Sequence, residues 1–116
     1  MTRLPELEAR LDALTTEILL PLRASKKLDP DAINRLYRLA DDLVAEIGGS
    51  DAVPRLLTGK LWFLFTQMLG EADYTRSPDD ILMSAWAYES RLEKIFGPFF
   101  SWPPSSVDGR PLPHLA

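Results

Sequence analysis

The chain has 116 residues and a formal net charge of −4, with 46% hydrophobic and 26% charged residues; that length suits one core, and that composition excludes wholesale disorder. It has no cysteine and a single histidine, His114, which excludes a disulfide framework and removes the side chains on which most hydrolytic, redox and zinc sites draw. Its Lys and Arg are scattered, with Lys26-Lys27 the only adjacent pair, whereas nucleic acid calls for a basic stripe.

The first helix is predicted from about Pro5 to Leu22. Leu4, Leu7, Leu11, Leu14, Ile18 and Leu22 recur at three- and four-residue steps and so share one face. Pro5 suits the first turn, and Pro21 is expected to kink or end the helix. The opening, Met1 to Glu8, places acids where a secretory signal needs an apolar core, so a cytoplasmic protein is expected.

Asp29 is the expected cap of the second helix, with Pro30 at its first position and Gly48-Gly49 at its end. Its stripe reads Ile33, Leu36, Tyr37, Ala40, Leu43, Val44 and Ile47. Ser50 or Asp51 is then the expected cap of a third helix from about Ala52 to Leu69. Val53, Leu56, Leu57, Leu61, Leu64, Phe65 and Met68 form that helix's main stripe, and Trp62 and Phe63 fall off it on opposite sides. Its second half is therefore apolar nearly all round, the pattern of a central helix. The uncharged run Leu61 to Gly70 covers about half a membrane span, so no membrane association is expected.

Ser77-Pro78-Asp79-Asp80 opens a fourth helix with a cap, a first-turn proline and acids at the positive dipole end; Gly97-Pro98 stops it after Phe96. Residues 98–116 are rich in proline and carry Phe99, Phe100 and Trp102. Proline argues against a fifth helix and the aromatics against a free tail. The expected architecture is all-α: a single-domain, up-down four-helix bundle over residues 1–97, with the first part of the 98–116 extension packed on it, over Trp62 or Phe63.

Three features are candidates for function. On a helical wheel Glu89 lies in the apolar stripe of the fourth helix, among Ile81, Leu82, Ala85, Leu92 and Phe96. A buried carboxylate needs a partner, for which Lys60 or a tyrosine hydroxyl would serve. The functional reading is a catalytic or anchoring carboxylate; the structural reading, a register-fixing pair or a rim position, is favoured. Asp41, Asp42 and Glu46 crowd the C-terminal end of the second helix, where the dipole prefers cations. They would suit docking of a basic partner, although a solvated surface is the favoured explanation. Trp62 and Phe63, with the aromatics of the extension, exceed what one stripe can bury and would suit an interface, although a core covered by the extension is the favoured explanation. The acids lack the convergence and the Glu-x-x-His pairs of a metal site, so no metal and no cofactor is expected. No phosphate loop, nucleophile elbow or zinc signature occurs.

The leading functional expectation is a small, acidic, cytosolic, non-enzymatic protein-binding module. Its sharpest form is an immunity- or antitoxin-type neutraliser of a basic partner, using Asp41, Asp42, Glu46, Trp62 and Phe63. Second is a self-associating structural or regulatory adaptor, and hence a homodimer. A ligand carrier or an enzyme built on Glu89 comes last.

Overall fold

The computed structural model describes residues 3–75 and 78–97. The cap expected of Ser77, the packing of Phe99, Phe100 and Trp102, and His114 lie outside the described residues. Four helices form a bundle: α1 (Leu4–Ser25), α2 (Pro30–Ile47), α3 (Arg55–Ala72) and α4 (Pro78–Phe96). No strand is present among the described residues, and no helix among them is long and apolar enough to cross a membrane.

Local chemistry accounts for the ends. The Asp29 carboxylate accepts from the Asp31 and Ala32 amides at 3.0 and 3.4 Å, capping α2 as its sequence implies. Pro21 does not end α1, which continues a further turn to Ser25 and stops where Lys26 adopts φ 57°. A proline one turn from the end removes a single amide donor; the Leu22 carbonyl accepts from Lys26 N–H, and the Pro21 carbonyl from Lys27 N–H and Ser25 Oγ. α3 begins three residues later than Ala52. Pro54 disfavours helical backbone at Val53, so Pro54 is the N-cap, and neither Ser50 nor Asp51 caps the helix.

Ion pairs and hydrogen bonds set the helix directions. Arg10 reaches Asp42 and Arg35 reaches Glu17, so α1 and α2 are antiparallel. Lys60 reaches Glu8 and Asp12 while Arg23 reaches Glu71, so α1 and α3 run parallel. Asp41 with Arg91, and Gly48 beside the Lys94 carbonyl, make α2 and α4 parallel. The helices pack as a ring in the order α1, α2, α4, α3; among the described residues, the diagonal pairs α1–α4 and α2–α3 do not pack. Directions thus alternate along the chain, while the 48–54 link crosses one end of the bundle diagonally. It leaves α2 beside Gly48, where a Cβ would sit 2.5 Å from the Val44 carbonyl and 3.3 Å from the Lys94 carbonyl, room that only glycine leaves.

The core is almost wholly aliphatic. α1 contributes Leu7, Leu11, Leu14, Ile18, Leu19 and Leu22, and α2 contributes two adjacent rows that include Leu36, Leu39, Ala40 and Leu43. From α4 come Ile81, Ala85, Tyr88, Leu92 and Ile95, at strict steps of four and three. Tyr88 is the only residue of the buried set with a polar side-chain atom among the described residues. Its hydroxyl donates to the Leu61 carbonyl of α3 at 2.8 Å, and burial pushes its phenol well above the ordinary tyrosine range.

Replacing Tyr88 with Phe removes that bond without a large cavity, at an expected cost of about 0.5–1.5 kcal/mol. Thermal melts followed by circular dichroism should show a drop of several degrees at neutral pH. The wild-type phenol, neutral when buried, ionises on unfolding above about pH 10. Wild-type stability should therefore fall as pH rises past that value, and the gap to the Phe variant should narrow. An identical melt at neutral pH would show that the bond contributes nothing.

Candidate functional site

Asp41 and Asp42, toward the C-terminal end of α2, are each engaged by arginines. Asp42 is held by Arg10 at 3.3 Å and Arg3 at 3.7 Å, both toward α1. Asp41 points the other way, toward α4, where it accepts from Arg91 Nε at 3.1 Å. The Arg91 guanidinium also lies 4.4 Å from the centre of the Tyr37 ring and donates to the Ala87 carbonyl. Glu46 is half-buried, one turn beyond Asp42 on the α1 side. What the sequence presents as a cluster is divided between two helix seams, and the unfavourable dipole placement is offset by arginines of neighbouring helices.

Glu89 is not in the core row. It is half-buried on the flank of α4, and Tyr88 occupies the buried row instead. Nor is Lys60 its partner: the ammonium donates to Glu8 at 2.7 Å and Asp12 at 3.0 Å on α1. Those bonds, Glu8 first, push the Lys60 pKa up. Trp62 is half-buried, edge-on to Phe65 at 5.7 Å and tilted on Phe96 at 5.8 Å, and so belongs to the α3–α4 seam.

Phe63 is different. It is 48% exposed, and Leu56, two helical turns earlier, is 65% exposed although its spacing suggests core. α3 is thus not a central helix: it packs on α1 and α4 and turns an apolar row outward. Between this row and α1 runs an apolar groove of about 700 Å³, lined by Asp12 and Thr15 of α1 and by Arg55, Leu56, Gly59, Lys60 and Phe63 of α3. Gly59 opens its floor, because a Cβ there would meet nothing within 4 Å among the described residues. The Thr15 hydroxyl is satisfied by the Leu11 carbonyl at 2.8 Å and makes no demand on an occupant. With Lys60 neutralised by Glu8 and Asp12, Arg55 is the lining charge that no carboxylate among the described residues pairs with.

Another recess, of about 500 Å³, lies between α2 and α4, with the exposed Met83 at its edge and Trp86 one turn on. Neither residue stands out in the sequence, because nothing local says which side of α4 faces outward. Among the described residues no group of three or more His, Cys, Asp or Glu is placed to hold a metal. We find no match to a family model, a curated protein or a solved structure.

The groove wall can be tested through Lys60. Its raised pKa means that the pairing stabilises the fold below the unfolded-state value of about 10.4 and is lost as pH rises through the folded value. Lys60→Met should therefore melt below wild type at pH 7, and the difference should shrink in alkali. A pH-independent difference would assign the loss to packing instead.

Proposed function

We propose that the chain is a non-enzymatic protein-binding module whose docking face is the α1–α3 groove. The observation that carries this is the exposure of Leu56 and Phe63 beside the open Gly59. Large apolar side chains grouped on a surface with a concave floor suit a partner's apolar anchors, and aromatic residues dominate such contacts. Gly59 adds weight. A mid-helix glycine costs up to ~1 kcal/mol relative to alanine, and no neighbour among the described residues demands it. Close approach by another chain supplies a reason to keep it.

The reading as a neutraliser that docks a basic partner through Asp41, Asp42 and Glu46 draws less support, since Asp41 and Asp42 are engaged by Arg91, Arg10 and Arg3. Phe63 carries over from the sequence reading as a contact residue; Leu56 joins it.

Affinity capture from native lysate, with identification by mass spectrometry, tests the proposal when wild type is run beside Leu56→Ala/Phe63→Ala. Leu56 is largely exposed and Phe63 about half exposed, so the double variant should melt within a few degrees of wild type. A protein retained by wild type and lost by the variant is the expected outcome. Identical retention by both would remove the groove from consideration.

A further inference from the structure

Resting on that reading, we infer that the groove takes an amphipathic helix that lies antiparallel to α3, with apolar anchors two turns apart and an acidic C-terminal end over Arg55. Three observations converge on this occupant. Leu56 and Phe63 are separated by two turns of α3, so anchors on one face of a second helix, at the same repeat, reach both. Between them Gly59 presents bare backbone, with nothing among the described residues within 4 Å of where its Cβ would be, and this lets a helix approach closely.

The third observation is charge. Arg55 has no carboxylate partner among the described residues, whereas Lys60, the other lining cation, is taken by Glu8 and Asp12. Arg55 also opens a helix that has no acid in its first turn and no side-chain cap, so cation and positive dipole end coincide. α1 and α3 run parallel and place their N-termini at the same end of the groove. An antiparallel occupant sets its negative C-terminal end against that end. Its carboxylates then meet the Arg55 guanidinium and the unpaired first amides of α3.

The test uses two synthetic amphipathic helices of about four turns. They share a leucine face and end in a pair of Glu or a pair of Lys; binding to the full chain is read by fluorescence anisotropy. At about 0.05 M salt the Glu-ended peptide should bind roughly ten-fold more tightly, and the preference should fade toward about 1 M salt. Arg55→Glu should invert the preference. Gly59→Leu fills the floor and should abolish binding of both peptides without lowering the melting temperature, since leucine is the better helix former. Equal binding of the two peptides, or a preference unchanged by Arg55→Glu, would overturn the acidic-end assignment. Binding undiminished in Gly59→Leu would overturn the placement, and binding of neither peptide would overturn the helical occupant. Each of these can occur while the lysate capture still succeeds with wild type and fails with Leu56→Ala/Phe63→Ala, so the two proposals fail separately.

Discussion

The bond from the Tyr88 hydroxyl to the Leu61 carbonyl fixes how α4 sits on α3, and much else follows from it. The rest of the buried set is apolar and aliphatic apart from Phe65, and a core of leucines tolerates sliding because one leucine face resembles the next. A single buried polar atom does not. Any other register leaves that hydroxyl unpaired in an apolar interior, where it costs about 1–3 kcal/mol. No buried side-chain polar atom among the described residues lacks a partner, so the core carries one polar requirement and meets it.

With the inner side of α3 committed to Tyr88, the rest of that helix is determined. Leu57, Leu61, Leu64 and Met68 point inward, and at 100° per residue Leu56, Gly59 and Phe63 cannot point the same way. The diagonal crossing of the 48–54 link then sets α3 beside α1 in parallel, with a groove between them. Parallel neighbours bring like dipole ends together. The ion pairs Lys60 with Glu8 and Asp12, and Arg23 with Glu71, supply opposite charge across that seam.

The helix count, the α2 boundaries and most of the α1 face were legible in the sequence, because Asp29-Pro30, Gly48 and the leucine spacing act locally. The phase of α4 was misread for a physical reason. Leu82 and Phe96 are large and draw the apparent stripe toward Glu89, yet both are only half-buried, and the regular series Ile81, Ala85, Tyr88, Leu92, Ile95 holds the core. That series was visible in the spacing; tyrosine's polar tip hid it. Leu56 was misplaced because hydrophobicity alone cannot say which side of a many-sided apolar helix has a neighbour. The ion pairs of Asp41 and Asp42 were not legible because their partners lie far along the chain, Asp42 from Arg10 by 32 positions and Asp41 from Arg91 by 50. Local rules do not reach that far.

Tyr88 locks the inner side of α3, so that its Leu56–Phe63 row faces out. Proton NMR of the native chain tests this most directly, since a buried phenolic hydroxyl donating to a carbonyl exchanges slowly with water. A protected Tyr88 hydroxyl resonance with cross-peaks to Leu61, and none from Tyr88 to Phe63, is the expected result. A hydroxyl that exchanges freely, or a Tyr88 ring whose cross-peaks run to Phe63 or Leu56, would contradict it, because α3 would then be turned and the groove would not exist.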